Sequence, residues 1–220
     1  ETVPYVLMSD EKTIFMGGFM DKYLTDFKSI IGCEMAAAKF LMERDDNSWV
    51  EAVEEILKCK GKVIVTGVGK SGHIGKKIAA TFASTGTPSF FIHSTEAAHG
   101  DLGMIERNDI VIMISNSGET KEVLAIIGSI KKIGCRTIWI TRNNKSSLAE
   151  NTDITINYDY DKEADELNLA PSVSSTLVIM IGDALALTVS KNKDFSNKDF
   201  YLYHPGGNLG KKLHEDLSNV

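Results

Sequence analysis

The chain has 220 residues, enough for one sizeable hydrophobic core, and no shift in composition marks a second domain. Its 24 Lys and Arg residues against 30 Asp and Glu residues give a formal net charge of −6, and the basic residues form no stripe. This balance argues against a surface for nucleic acid or for an anionic membrane.

The cysteines and the apolar segments predict a cytoplasmic protein. Cys33, Cys59 and Cys135 are widely spaced, odd in number and match no C-x-x-C pattern, which indicates reduced thiols. Residues 1–16 lack a basic region followed by an apolar one, so we expect no signal segment. The longest apolar stretch, at 177–189, is interrupted by an aspartate and is too short to span a bilayer.

The first 58 residues predict an arm followed by two helices. Residues 1–16 have no periodic pattern and predict an irregular arm. From Gly18 to Arg44 the apolar residues recur mostly every three or four positions, which predicts a helix. The Asp-Asp-Asn-Ser run at 45–48 supplies an N-cap for a second helix over 49–58. Because this pair precedes the sheet and has no crossover partner within it, we expect it to pack against another subunit.

After residue 60, strands and helices alternate, which predicts a doubly wound α/β fold of flavodoxin or Rossmann type. The apolar runs predict five strands, at residues 62–66, 88–92, 109–114, 136–141 and 153–157. Helices are expected at residues 71–85, 118–132, about 146–150 and 174–191. Continuous apolar strands alternating with helices indicate a five-stranded parallel sheet covered on both faces.

The glycine-rich run 67–72 follows the first strand and predicts an anion site. A strand that ends in glycines and opens into a helix presents backbone N–H groups that favour phosphate. The P-loop signature fails, because Ile64, inside the strand, stands where its first glycine would be. The glycines do match the dinucleotide fingerprint, but the acidic residue it requires, Glu96, comes late after the second strand. Lys70 within the run therefore favours a compact phosphate compound over a dinucleotide.

Polar residues also follow other strands at the carboxyl edge, where such sheets bind their ligands. Ser-Asn-Ser-Gly-Glu-Thr at 115–120 follows the third strand, and Glu163 and the hydroxyl residues at 172–176 follow the fifth. One hydroxyl is enough to cap a helix, a contribution of about 1 kcal/mol, so the surplus favours a phosphate site over capping alone. The residues expected to bind the substrate and its phosphate are Gly69, Ser71, His93, His99, Ser115, Asn116, Ser117, Thr120, Ser174 and Ser175.

Four segments of the chain resemble the sugar isomerase (SIS) family. Most of residues 45–213, taken as the SIS domain, is covered, between an N-terminal arm and helix at 1–44 and a tail at 214–220. Within the family the chain is similar to the D-arabinose-5-phosphate isomerases of the 3-deoxy-D-manno-octulosonate (Kdo) and capsule pathways. The four segments are the run 61–103, the loop 115–120, Lys-Glu-Ala at 162–164 and His-Pro-Gly-Gly-Asn-Leu-Gly at 204–210.

The resemblance implies an isomerase that interconverts D-ribulose 5-phosphate and D-arabinose 5-phosphate through an enediolate, without a metal or another cofactor. The product would supply Kdo synthesis for lipopolysaccharide or capsule. The implied catalytic residues are Lys70, Glu122, Glu163 and His204, and the implied assembly is a homotetramer. Either glutamate fits the base that removes the carbon-bound proton, and His204 fits ring opening or proton shuttling, in its own site or a neighbouring subunit's.

Two other functions fit the same fold: a non-catalytic sensor of sugar phosphates, and an SIS isomerase of another phosphosugar. Two features depart from the family pattern. Many members continue after the His-Pro-Gly-Gly tail into two CBS modules, which residues 1–220 do not include. We therefore expect regulation within this domain, through inhibition by Kdo or CMP-Kdo. In addition, Asp165 and Glu166 replace a Cys-Pro pair, which places two extra carboxylates beside the site.

Overall fold

The computed structural model describes residues 11–205, and the side chains of residues 21–205. Two helices come first, α1 at Glu11–Met42 and α2 at Asn47–Lys58. The N-cap of α2 is Asp46, as the Asp-Asp-Asn-Ser run predicts. The prediction of an irregular arm is wrong for residues 11–16, which are helical, because two glycines at 17–18 break the apolar pattern without ending the helix. The rest of the arm and the tail at 214–220 lie outside the described residues.

The sheet is the predicted one. Its five strands are β1 at Val63–Gly67, β2 at Ser89–His93, β3 at Ile110–Ile114, β4 at Arg136–Thr141 and β5 at Ile154–Asn157. All neighbouring strands are parallel, in the order β2-β1-β3-β4-β5. Each predicted strand boundary lies within one residue of the observed one. The doubly wound α/β fold is therefore confirmed.

The helices cover both faces of this sheet. They are α3 at Gly69–Ser84, α4 at Ser94–Ala97, α5 at Lys121–Ile133, α6 at Val173–Asn192 and α7 at Asn197–Tyr203. One core joins α1, α2, α3 and α6 to the sheet, and the other joins α4 and α5 to its opposite face. Successive strand side chains alternate between the two cores, so that Ile64 lies in one and Val65 in the other.

Three helix predictions need correction. The predicted helix at 118–132 begins only at Lys121, because Gly118 has φ at +72° and continues the loop. The predicted piece near 146–150 is a single 3₁₀ turn at Ala149–Asn151. The short helix α7 was not expected, although its polar start contains a capping box in which Ser196 and Asp199 bond each other's backbone N–H groups.

The apolar helix α6 explains the most hydrophobic stretch of the sequence. Among the described residues, it alone is long and apolar enough to cross a membrane by length and composition. However, 56% of its apolar window is buried inside the domain, where it packs against α1, α2 and α3. Its composition is therefore that of a core helix.

Candidate active site

The site lies where the strand order reverses. β1 and β3 are neighbours within the sheet, and Gly67 at the end of β1 pairs with Ile114 at the end of β3. The chain leaves β1 through α3 on one face and leaves β3 through α5 on the other. Between two such connections a parallel sheet opens a crevice at its carboxyl edge, where its ligands bind. The loops after β1 and β3 form the walls of this crevice.

The loop after β1 brings backbone N–H groups to the crevice. A Cβ atom at Gly67 would lie 3.1 Å from the carbonyl oxygen of Ile114, closer than ordinary van der Waals contact. Gly69, with φ at +58°, begins α3 in the left-handed region that favours glycine. No side chain caps this helix, so the N–H groups of its first turn remain available. That turn also carries the exposed Lys70 and the half-buried Ser71.

Hydroxyl groups hold the loop after β3 in a tight turn. The Ser115 hydroxyl lies 2.6 Å from the Thr120 hydroxyl and accepts a hydrogen bond from the Gly118 N–H at 3.2 Å. Ser117 Oγ accepts a hydrogen bond from the Glu119 N–H, also at 3.2 Å. Ser115 is buried, whereas Ser117 is exposed. Ser115 and Thr120 thus stabilise the turn, and Ser117 is the hydroxyl that a ligand can reach.

Two charges of opposite sign begin the helices on either side of the crevice. Lys70 lies in the first turn of α3, and Glu122 lies in the first turn of α5, as predicted. Both side chains are exposed, and neither forms a hydrogen bond or an ion pair with any residue between 21 and 205. The positive charge of Lys70 opposes the dipole of α3, so an anion bound at this helix would offset it.

Glu163 is a buried carboxylate with four hydrogen bonds, not a solvated loop residue. It is 5% exposed. Its Oε1 accepts a hydrogen bond from the Tyr160 hydroxyl at 3.0 Å. Its Oε2 accepts bonds from the Ser172 N–H at 2.8 Å, the Ser172 hydroxyl at 3.1 Å and the Ser174 N–H at 3.2 Å. Burial raises its pKa, but the hydrogen bonds from Ser174, Ser172 and Tyr160 outweigh burial and hold the pKa below the usual value.

The N-terminus of α6 therefore holds an anion that belongs to the chain itself. Ser174, predicted to bind phosphate, is buried and donates to Glu163. The Ser175 hydroxyl donates to the carbonyl oxygens of Pro171 and Ser172, both at 2.9 Å. The surplus of hydroxyls that predicts a phosphate site at this helix is thus explained by its own carboxylate and backbone. The start of α3, in contrast, has no such internal anion among the described residues.

The three candidate histidines lie in separate places. His93 caps α4, because its Nδ1 accepts a hydrogen bond from the Thr95 N–H at 3.3 Å. His99 is exposed just after this helix. The His204 ring stacks on Phe200 with ring centroids 3.9 Å apart, and its Nδ1 lies 2.8 Å from the Phe200 carbonyl oxygen. The described contacts of His204 thus lie within α7, and none joins it to Glu163.

Sequence reasoning missed a group of residues beside Glu163. Tyr158 and Tyr160 follow β5, and both are buried. Their hydroxyls bond the side chain of Asn116, at 2.9 Å and 3.1 Å respectively. The Arg142 guanidinium lies 4.2 Å from the centre of the Tyr160 ring. Alternate tyrosines directly after a strand were the available signal, since they end at the carboxyl edge where polar groups collect.

The extra carboxylate Asp165 has a structural role. It accepts hydrogen bonds from the Leu169 N–H, at 3.0 and 3.2 Å to its two oxygens, and from the Ala170 N–H at 2.9 Å. It therefore closes the turn that precedes α6. Its neighbour Glu166 is exposed and forms no hydrogen bond with a described residue. Within the described residues, no three His, Cys, Asp or Glu side chains are grouped as metal ligands.

Taken together, the geometry defines a phosphate-binding α/β domain whose site lies at the switch point of the sheet. A family model described as the SIS domain matches residues 56–188. This match covers more than half of the chain, which therefore belongs to the SIS domain family.

Named relatives and a solved structure agree with this assignment. The arabinose 5-phosphate isomerase KdsD of Francisella tularensis is 47% identical over 204 residues, which are 91% of this chain and 62% of the relative. The arabinose 5-phosphate isomerase KpsF of Escherichia coli is 46% identical over 203 residues, again 91% of this chain and 62% of the relative. The chain thus spans about three fifths of the length of these relatives.

The solved structure is E. coli CFT073 c3406 in complex with arabinose 5-phosphate. It is similar to this chain with a TM-score of 0.80 and 46% identity, and the match covers 90% of this chain and 100% of that one. The fold predicted for residues 45–213 is therefore that of a sugar-phosphate-binding relative.

Replacement of Glu163 by Gln is expected to destabilise the protein by about 1.5–3 kcal/mol at pH 7, because an amide cannot replace a carboxylate held by charged hydrogen bonds. The folded pKa of Glu163 is lowered. Its contribution is therefore present above the pKa of an unfolded glutamate, about 4.3, and is lost as the pH falls through the folded value. Urea unfolding of wild type and Glu163→Gln at several pH values should show a difference that shrinks in acid.

Glu166→Gln is the matched control, because it removes a carboxylate that is exposed and unbonded within the described residues. We expect this variant to stay within about 0.5 kcal/mol of wild type at every pH. Equal losses for the two variants would contradict the buried, hydrogen-bonded state of Glu163.

Proposed function

We propose that this protein is an aldose–ketose isomerase that interconverts D-ribulose 5-phosphate and D-arabinose 5-phosphate. One observation carries the proposal: the crevice at the switch point combines the open N-terminus of α3 with two charges of opposite sign, Lys70 and Glu122. A phosphate group fits the helix N-terminus, and an enediolate reaction needs the two charges. The identity to named arabinose 5-phosphate isomerases favours this substrate among phosphosugars.

The reaction moves two protons. A base removes the proton from C2 of the open-chain aldose, and the electrons of that bond form the C1–C2 double bond while negative charge develops on the C1 oxygen. A proton then adds to C1, and another passes from the C2 oxygen to the C1 oxygen. The site must therefore supply a base, a proton shuttle and positive charge near the developing oxyanion.

The start of α3 and the loop after β3 supply the binding part of this chemistry. Gly69 and Ser71 offer the N–H groups of the first turn, and Ser117 offers an exposed hydroxyl from the opposite wall. We assign the phosphate to this pair of walls. Lys70 then offsets the charge of the phosphate or of the enediolate oxygen.

The two glutamates have different environments, which suggests different roles. Glu122 is exposed beside the crevice and has no hydrogen bond to a described residue, so it is free to take a proton from carbon. Glu163 is buried and already accepts four hydrogen bonds, so a proton would have to displace a donor. We assign Glu122 as the base, and Glu163 as the fixed negative charge that stabilises positive charge on the proton shuttle.

We further propose a homotetramer in which His204 serves the site of a neighbouring subunit, opening the sugar ring or shuttling protons. Phe195, just before α7, packs on Gly86, which precedes β2 at the edge where the strands begin. His204 therefore follows a segment anchored away from its own crevice. In addition, α1 exposes large apolar residues, and an apolar groove of about 950 Å³ separates α1, α2 and α6. Both features favour burial against other copies of the chain.

We place the reaction in the cytoplasm, because all three cysteines are free. The product would enter Kdo synthesis for lipopolysaccharide or capsule. We also propose that Kdo or CMP-Kdo inhibits the enzyme by placing its anionic group at the start of α3, where the substrate phosphate binds. This crevice gives a downstream acid and the substrate a shared site.

Proton NMR in D₂O tests the activity. With D-arabinose 5-phosphate, the wild-type protein should form ribulose 5-phosphate that carries deuterium at the exchanging carbon, because an enediolate exchanges its proton with solvent. Glu122→Gln should lose at least 100-fold in kcat, the lower end of what a general base contributes. Addition of Kdo or CMP-Kdo at millimolar concentration should slow the wild-type reaction, and unchanged rates would refute the inhibition.

Exchange without a dependence on Glu122 would contradict its assignment as base. Binding of the sugar phosphate without turnover would instead favour a sensor, or an isomerase of another phosphosugar. A panel of hexose and heptose phosphates, assayed in the same way, separates these two outcomes.

The oligomer is tested by Phe27→Asp, which places a charge among the exposed apolar residues of α1, where Phe27 is 65% exposed. We expect the wild type to sediment at four times the chain mass and the variant to sediment as a smaller species, because the charge must be desolvated at the interface. Ser129→Asp is the control, since Ser129 is exposed on α5, on the other face of the sheet. A tetrameric Phe27→Asp variant would contradict the role of α1.

A further inference from the structure

A continuous chain of hydrogen bonds joins the loop after β3 to Glu163. The Tyr158 hydroxyl donates to Asn116 Oδ1 at 2.9 Å. Asn116 Nδ2 donates to the Tyr160 hydroxyl at 3.1 Å. The Tyr160 hydroxyl in turn donates to Glu163 Oε1 at 3.0 Å. Asn116 is the second residue of the loop that carries Ser115 and Ser117, so the chain connects one wall of the crevice to the buried carboxylate.

The direction of this chain follows from the charge of Glu163. An ionised carboxylate can only accept hydrogen bonds, so the single proton of the Tyr160 hydroxyl must point to Glu163. The Tyr160 oxygen is then left to accept, and it takes a proton from the Asn116 amide nitrogen. This in turn directs the amide oxygen of Asn116 to the Tyr158 hydroxyl. The ionised state of Glu163 thereby sets the orientation of a side chain in the crevice wall.

Packing holds the central phenol of the chain in place. Tyr160 is 7% exposed, and its ring stacks on that of Tyr158 with centroids 6.3 Å apart. The Arg142 guanidinium lies over its other neighbour space, 4.2 Å from the ring centre, and donates to the Tyr160 carbonyl oxygen at 2.8 Å. The same guanidinium bonds Asp159 at 3.2 Å. Tyr160 is therefore fixed through its ring, its backbone and its hydroxyl.

We propose that Tyr160 is a positioning residue that orients Glu163 and keeps it ionised for the isomerase reaction, acting in series with Asn116. The inference rests on the proposed function, in which Glu163 is the fixed negative charge of the site. Tyr160 acts through Glu163 and does not touch the substrate.

The groups around this pair define what else could affect its ionisation. Neutral donors surround the carboxylate itself: the N–H groups and hydroxyls of Ser172 and Ser174, and the Tyr160 hydroxyl. The titratable or charged groups around Tyr160 and Glu163 are Cys33 on α1, Arg142 after β4, and Tyr158, Asp159, Asp161, Lys162 and Asp165 on their own segment. Since the carboxylate has no cation among its hydrogen-bond donors, each neutral donor matters to its charge.

Tyr160→Phe tests the proposal, with Tyr158→Phe as the matched control. Each removes one buried hydroxyl next to Asn116, but only Tyr160→Phe removes a bond to Glu163. For Tyr160→Phe we expect roughly a ten-fold fall in kcat with KM nearly unchanged, the size of one hydrogen bond to a charged group. The acid limb of its pH–rate profile should also move to higher pH, because a donor that favours the charged form is lost. Tyr158→Phe should leave this limb in place.

A second measurement does not depend on turnover. A ¹³C NMR titration of the Glu163 carboxyl, identified by its absence in Glu163→Gln, should show protonation at higher pH in Tyr160→Phe than in wild type. The same titration pH in both, or an equal shift in Tyr158→Phe, would overturn the proposal. If the wild type fails to isomerise the sugar phosphate, the proposed function is refuted, and the titration still decides whether Tyr160 controls the ionisation of Glu163.

Discussion

The N–H groups in the first turn of a helix need acceptors, and this constraint organises the whole site. Two long helices, α3 and α6, present such groups near the carboxyl edge of the sheet. In α6 the acceptor is internal, because the Glu163 carboxylate takes the N–H groups of Ser172 and Ser174. In α3 no side chain takes this place. One helix N-terminus is thus filled by the protein, and the other is open to an anion from outside.

This contrast separates binding from catalysis within a single edge of the sheet. An external phosphate at α3 places the reacting end of a five-carbon sugar away from that helix, toward groups whose charge is set by the chain. Glu163 contributes a charge whose position and ionisation are fixed, whereas Glu122 and Lys70 are exposed and can respond to the ligand. Fixed and adaptable charges on opposite sides of one crevice suit a reaction in which a proton leaves one carbon and returns to its neighbour.

Much of this architecture is local in sequence and could be predicted. Continuous apolar runs place all five strands to within a residue, and the glycines after β1 mark the turn into α3. Predictions failed where a distant contact decides the outcome. The hydroxyls at 174 and 175 look like phosphate ligands until Glu163, about ten residues earlier, takes one of them. Tyr160 meets Asn116 across 44 residues of sequence, a pairing that no periodicity reveals.

The central claim is that the substrate phosphate binds at the start of α3. A crystal structure of the Glu122→Gln variant with D-arabinose 5-phosphate tests it most directly. The account predicts a phosphate within hydrogen-bond distance of the N–H groups of residues 69–71 and of the Ser117 hydroxyl, with Glu163 still bonded to Ser172. A phosphate at the start of α6, with Glu163 displaced, would contradict it.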